Sequence, residues 1–185
     1  MPIRRIQWTL RQPHQVNRSG WTGRRQVLTT PGGSYWSCSA EFHQIVGQKQ
    51  AQKWIAFFQS LEGQVHKFPV VAVEQRQHGW VNPNVSAGTA GAKTITLSSG
   101  SACLVVGMKM TIPLEDGTFQ LVTLTENWSG TIATFLPALR ANAATGQPVE
   151  TILPFAHVAL VGDSFEYAVE PGQVYSFSFQ ADEAF

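Results

Sequence analysis

Length and composition describe a globular chain. It has 185 residues, of which 43% are hydrophobic and 14% charged, enough for one domain with a core or for a domain that carries a smaller insert. No apolar run approaches the roughly 18–20 residues that a membrane-spanning helix needs, so we expect no membrane span. Cys38 and Cys103 are too few for a disulfide framework, and we expect two free thiols in a reducing compartment.

The formal net charge of +1 hides an uneven distribution. Residues 1–80 hold ten Lys and Arg against three acids, a balance of +7, whereas residues 81–185 hold three against nine, a balance of −6. Such a split is compatible with nucleic-acid contact by the basic half. It is equally compatible with self-association, in which the basic surface of one copy meets the acidic surface of the next, or with two solvated surfaces of different composition.

The first 43 residues predict strands separated by an exposed arm. Residues 3–10 alternate apolar and polar side chains and predict a strand. Residues 11–26 (RQPHQVNRSGWTGRRQ) have little that could form a core face, so we expect a loop or an exposed arm. A short strand at 26–30 and a turn at 31–33 (PGG) follow. Residues 35–43 give the clearest strand, with one apolar and one polar face.

One segment carries a clear helical period, residues 47–63 (GQKQAQKWIAFFQSLEG). Apolar residues recur at three- and four-residue steps, and polar residues fill the other side. Because most of the remaining chain is typical of β structure, we predict a helix over 47–62 that packs its apolar stripe on a sheet. The stripe consists of Ala51, Trp54, Ile55, Phe58 and Leu61.

The character of the chain changes near residue 80. Residues 67–74 predict a strand whose Pro69 favours an edge position, and the turn-forming stretch 81–93 resembles a boundary. Short strands separated by hairpin signals then suggest a small barrel; they lie at 94–97, 109–114, 118–125 and 131–136. Further strands are predicted at 157–161, 165–169 and 174–180, and the last of them closes the sheet begun at the N-terminus. We therefore predict a domain made of 1–80 and 152–185, with 81–151 as an inserted small β domain.

Two near-motifs lack the features that their chemistry requires. Residues 88–94 (GTAGAKT) resemble a phosphate-binding loop, but Ala92 stands where a Gly should precede the Lys, and no helix is predicted to follow. Residues 162–164 (GDS) resemble a hydrolase nucleophile block, yet no His follows Ser164. The five histidines show no pair at metal-ligand spacing and neither Cys has a C-x-x-C partner. We predict no catalytic residues, no metal and no cofactor.

Three tryptophans, Trp21, Trp80 and Trp128, lie in turn-rich sequence and could be exposed. We favour packing or subunit contact for them over ligand binding. Exposure of Trp80 and Trp128 side by side would instead favour a carbohydrate or receptor site on the 81–151 insert.

Several segments together resemble a distal tail (Dit-like) or minor tail protein of a long-tailed, siphovirus-type bacteriophage. The segments are 21–26 (WTGRRQ), 31–36 (PGGSYW), 51–63 (AQKWIAFFQSLEG), 107–110 (GMKM), 117–120 (GTFQ), 137–140 (PALR) and 175–185 (YSFSFQADEAF). The resemblance implies a β-sandwich or split-barrel belt domain with one packed α-helix, plus a small barrel-like insert. It implies a hexameric ring at the distal end of the tail tube, in a virion assembled after synthesis in the host bacterial cytoplasm.

The resemblance also implies the partners: other copies of this chain, the tail tube protein and the tail-tip or hub proteins, with nucleic acid only in transit through the lumen. We expect a core that includes Trp36, Phe42, Trp54, Phe58, Leu61, Phe177 and Phe179. We expect an interface at the basic arm, formed by Arg18, Trp21, Arg24 and Arg25. The alternatives are a host-receptor or carbohydrate-binding tail module that uses the insert, and a nucleic-acid-binding protein that uses the arm's arginines.

Overall fold

The computed structural model describes residues 3–29, 33–98, 103–128 and 130–185. The described part is mainly β with one α-helix, which confirms the predicted fold class. Its elements are β1 (Ile3–Arg11), β2 (His14–Arg18), β3 (Arg25–Thr29), β4 (Tyr35–Phe42), β5 (Ile45–Val46), α1 (Gln48–Ser60), β6 (Phe68–Val71), β7 (Val85–Ala87), β8 (Thr94–Leu97), β9 (Lys109–Pro113), β10 (Phe119–Leu124), β11 (Ile132–Leu136), β12 (Phe155–Leu160), β13 (Tyr167–Glu170) and β14 (Val174–Glu183).

The chain forms two compact units. Unit 1 comprises 1–9, 36–70 and 157–185, and unit 2 comprises 10–35 and 71–156. The predicted insert 81–151 lies inside unit 2, but that unit also takes in 10–35 and the residues on either side of the insert. Hydrogen bonds explain why this part of unit 2 begins at residue 71 and not at residue 81. The Ala72 amide donates to the Pro154 carbonyl over 2.7 Å, and the Gln77 side chain bonds the Lys109 backbone at 2.7 and 2.9 Å.

Unit 1 is built on a seven-stranded sheet in the order β1-β4-β14-β12-β6, with β5 and β13 also paired to β14. The final strand is central because its ten residues serve two sets of neighbours. Its first half pairs with β5 and β13, and its second half pairs with β4 and β12. As predicted, Pro69 lies on an edge strand, β6, the position in a sheet where proline is tolerated.

Helix α1 packs one stripe on this sheet. Ala51, Phe58 and Leu61 are buried, and the Phe58 ring stacks on Phe165 at 4.5 Å between ring centroids. Past the C-cap Leu61, two successive residues are left-handed, Glu62 with φ of 49° and Gly63 with φ of 68°, which ends the helix. The prediction of a helix over this segment is confirmed.

Unit 2 contains a five-stranded sheet in the order β7-β8-β11-β10-β9. The segment that follows Leu139 bonds both of its edges: Val149 donates to Pro83 beside β7, and Glu150 exchanges backbone hydrogen bonds with Thr111 of β9. These contacts close the sheet into a barrel-like shape around its own core. That core includes Ile95, Leu97, Leu104, Met110, Ile112, Leu124, Trp128 and Phe135.

Several local predictions need correction. The loop or exposed arm expected at 11–26 contains a strand, β2, which pairs with the strand predicted at 26–30, and the boundary stretch 81–93 contains β7. Strand β5 was also not predicted. Strand β2 shows no apolar face in the sequence because all five of its residues are exposed, so no periodicity marks it. Most of the turn predicted at 31–33 lies outside the described residues.

Candidate functional site

The β2–β3 hairpin is a complete antiparallel ribbon. Five residue pairs run from His14 opposite Thr29 to Arg18 opposite Arg25. At its closed end, the Ser19 and Arg24 backbones are joined by a hydrogen bond of 2.9 Å, and the Gly23 amide donates to the Ser19 carbonyl over 3.0 Å. Gly23 has φ of 66°, which a residue with a Cβ adopts less readily. The backbone hydrogen bonds of the ribbon are therefore made within residues 14–29, and they do not depend on an apolar sequence.

The register divides the ribbon's side chains between two faces. One face carries Val16 beside Val27 and, two residues along each strand, Arg18 beside Arg25; we call these four residues the valine–arginine face. The opposite face carries Leu28 and the amides of Gln15, Asn17 and Gln26. Val16, Val27 and Leu28 are 45%, 45% and 46% exposed, so both faces are open to solvent.

Trp21 stands at the tip of the hairpin. Its side chain is fully exposed, at 101% of the reference area. Tryptophan is among the residues most enriched at energetic centres of interfaces, because its large rigid surface gains much when it is covered. An isolated two-stranded ribbon is marginally stable in water, and covering such a residue would stabilise it.

The hairpin is also uniformly basic. Residues 10–29 contain four arginines and no acidic residue. Two of them, Arg18 and Arg25, face each other directly across the strands, and like charges in that position are destabilising. Nothing in the hairpin's own sequence offsets this repulsion. An acidic partner would.

The exposed polar face of the unit 1 sheet carries acidic residues. Glu41 pairs with Ser178 on β4 and β14, and Glu166 directly precedes β13, whose first residue Tyr167 pairs with Phe177. Glu41 and Glu166 therefore lie on opposite sides of β14, with Glu166 one residue outside the paired stretch of β13. Glu41, Ser178 and Glu166 line both a trough of about 820 Å³, which also contains Arg4 and His43, and a second trough of about 470 Å³.

We call the second trough the glutamate trough. Its acidic residues are Glu41 and Glu166, and the described residues that line it include no Lys, Arg or His. Val161, 51% exposed, borders it; the Val161 amide donates to the Gln180 carbonyl over 2.9 Å, which places Val161 one row away from the two glutamates. The trough thus combines negative charge with an exposed apolar side chain.

Trp80 and Trp128 do not form a binding pair. Trp128 is 1% exposed, inside the core of unit 2, so the expectation that it could be exposed is wrong. Its backbone amide donates to the Leu104 carbonyl over 2.8 Å, in a bridge to a residue of the same core. Trp80 is 45% exposed and stacks on His78 at 5.6 Å.

Neither near-motif forms a chemical site. Gly88 packs into the unit 2 core: a Cβ built there would lie 2.9 Å from the Ala143 Cβ and 3.1 Å from Ile95. This glycine serves close packing rather than phosphate binding. The Gly162-Asp163-Ser164 segment is a bend between β12 and β13, as the sequence predicts. The described residues contain no group of three or more His, Cys, Asp or Glu that could hold a metal, and none of their helices is long and apolar enough to cross a membrane.

Burial shifts the pKa of four described groups, and lowers that of Lys109 among them. Burial, with a smaller contribution from the negative charge of Asp182, raises the pKa of the Cys38 thiol to about 12. Burial also lowers the pKa of His157, with the positive charge of Lys67 acting in the same direction. The pKa of His78 is lowered by burial as well, against the opposing effect of Glu150.

The seven predicted core residues lie in unit 1, six of them buried: Trp36, Phe42, Phe58, Leu61, Phe177 and Phe179. Trp54 is only half buried, because it lines an apolar groove of about 470 Å³ with Phe57 and Phe68. The four predicted interface residues, Arg18, Trp21, Arg24 and Arg25, come together at the closed end of one hairpin. Sequence reasoning missed Val16, Val27 and the glutamate trough, since only strand register reveals them.

No protein-family model matches this chain, and a search of curated proteins found no match either.

Proposed function

We propose that this chain is a structural protein of a long-tailed phage virion, one that forms a ring, expected to be hexameric, at the distal end of the tail tube. The ring would connect the tube to the tip or baseplate. The sequence resemblance supports this assignment. The β2–β3 hairpin is the single structural observation that supports assembly into a ring. It exposes both faces and a tryptophan, and it has four arginines and no acidic residue.

A ring subunit needs surfaces that recognise other copies rather than an active site, since head-to-tail contacts close by rotation. The hairpin has the composition of such a surface: aromatic and Arg residues dominate interface energetics. The alternative of a receptor or carbohydrate module on the insert loses its motivating observation, because Trp128 is buried beneath the surface that it would have to form.

Nucleic-acid binding is the competing explanation for the hairpin. Four arginines without an acid would attract a phosphate backbone, and such binding weakens steeply as salt rises. Against it, Trp21 is the one aromatic residue among the arginines of 10–29, whereas single-strand binding surfaces use aromatic side chains to stack successive bases.

The test compares Trp21→Ala with Trp80→Ala, a second exposed tryptophan of the same unit. We expect the purified wild-type chain to give ring-shaped particles in negative-stain electron microscopy, and the phage that encodes it to carry it in purified tails by mass spectrometry. Trp21→Ala should abolish the rings with little change in melting temperature, because its side chain contacts no core. Trp80→Ala should leave them intact.

Absence of the chain from purified virions would refute the assignment. Intact tails from a Trp21→Ala phage, together with tight and salt-sensitive DNA binding by the free protein, would favour the nucleic-acid alternative.

A further inference from the structure

The valine–arginine face and the glutamate trough match in layout. On the hairpin, a row of two valines lies two residues from a row of two arginines. On the unit 1 sheet, Val161 lies opposite Gln180, two residues along β14 from Ser178, which pairs with Glu41. Each surface therefore places an exposed apolar side chain beside a pair of charges, and the charges are opposite; on the sheet this side chain is Val161 alone, since Gln180 and Ser39 complete its row.

The distance between the two arginines is also compatible with the distance between the two glutamates. Arg18 and Arg25 face each other across one strand pair, with Cα atoms about 4.5–5.5 Å apart. Glu41 and Glu166 lie on either side of β14, which separates their backbones by about 10 Å, two strand spacings. Arginine side chains are long enough to spread across that difference, and their planar guanidinium groups can bind a carboxylate through two parallel hydrogen bonds.

We propose that the valine–arginine face of one copy docks on the glutamate trough of a second copy. The partner is a second copy because the same chain supplies both halves of the match: two exposed arginines on the hairpin and two exposed acids in the trough. The contact relieves the Arg18–Arg25 repulsion and covers Val16, Val27 and Val161. It is heterologous, so repetition of it generates a ring or an open chain of subunits.

This inference rests on the self-association part of the proposed function, and names the surfaces that carry it. It also predicts which face of the ribbon is covered. The opposite face, with Leu28 and the amides, remains in solvent. Trp21 at the tip is adjacent to both faces and does not discriminate between them.

A charge-reversal experiment tests the pairing. One variant carries Arg18→Glu and Arg25→Glu, and a second carries Glu41→Arg and Glu166→Arg; all four side chains are exposed, so both variants should fold. Each alone should raise the dissociation constant for self-association, measured by sedimentation velocity over a concentration series, by about tenfold or more. A mixture of the two should assemble again, because each reversed hairpin meets a reversed trough on the other variant.

The mixture is the decisive sample. Rescue in the mixture requires contact between copies, which an effect inside one copy would not produce. A chain that carries all four reversals should also assemble. Failure of both the mixture and the four-fold variant, while each parent variant remains folded by circular dichroism, would overturn the pairing.

Two adjacent residues provide a matched control for the docking face. Val27 and Leu28 are almost equally exposed and point to opposite faces of the ribbon. Val27→Glu should weaken self-association by about tenfold or more, whereas Leu28→Glu should change it by less than about threefold. The reverse order would overturn the assignment of the face.

The outcomes separate this inference from the proposed function. Rings that lose assembly with Trp21→Ala but tolerate every charge reversal would refute the glutamate trough and leave the tail-ring function standing. A wild-type chain that remains monomeric at about 0.05 M salt throughout the series would refute a second copy as the partner. In that case the presence of the chain in purified virions would still decide the tail function.

Discussion

The packing of α1 on the unit 1 sheet can be tested with two neighbouring phenylalanines. Phe58 is 1% exposed and Phe57 is 37% exposed, so the same substitution probes the buried and the outer side of one helix turn. The Phe58 ring lies within 4.5–6.4 Å of five other aromatic rings, those of Phe42, Trp54, Phe57, Phe165 and Phe179. Its removal would leave a cavity in that cluster.

The expected magnitudes follow from buried area. A fully buried Phe side chain removes about 150–250 Å² from water, worth roughly 4–6 kcal/mol at about 25 cal/mol per Å². Allowing for the part that Ala retains, Phe58→Ala should lower the free energy of unfolding by about 3–5 kcal/mol. Phe57→Ala should lower it by about 1–2 kcal/mol, because its site is open and no cavity forms.

The assay is urea denaturation followed by circular dichroism, with both variants compared on the transition of unit 1. A separate transition for unit 2 should not move, because both residues lie in unit 1. Equal losses for the two variants, or a loss below about 1 kcal/mol at Phe58, would show that α1 does not bury this stripe.

Three further predictions concern other parts of the chain. Gly88→Ala should lower the free energy of unfolding by about 1–3 kcal/mol in calorimetry, since its Cβ would enter a filled core; Gly79→Ala, in open space, should cost little. A thiol reagent at about pH 8 should modify Cys103, which is exposed, and spare Cys38, whose pKa is raised; two reactive thiols in the native protein would contradict this. The pKa of His157 is lowered in the folded state, so the unfolded state binds its proton more readily. Stability should therefore be full above the unfolded pKa of about 6.5 and fall as pH drops below it, and His157→Gln should flatten this dependence; an unchanged profile would contradict it.

The sequence by itself determined the elements whose residues face both water and a core. The 3.6-residue period of 48–60 and the strict alternation of 35–42 are visible because burial on one side selects apolar residues at a fixed spacing. Hairpin signals in the second half located β8 to β11 within one or two residues, because their turns require particular residues such as Gly117. Fold class followed from these elements.

Other features were decided only by the tertiary structure. The β2–β3 hairpin carries no apolar period, since both faces are exposed, and its ladder satisfies the backbone whatever the side chains are. Trp128 looks like a turn residue in the sequence, but the closure of the unit 2 sheet buries it. The glutamate trough joins residues 125 positions apart, Glu41 and Glu166, through their register with β14, which only the pairing of distant strands defines. Local sequence thus predicts the strands that have one covered face, whereas the long-range pairing of strands decided which side chains share a surface.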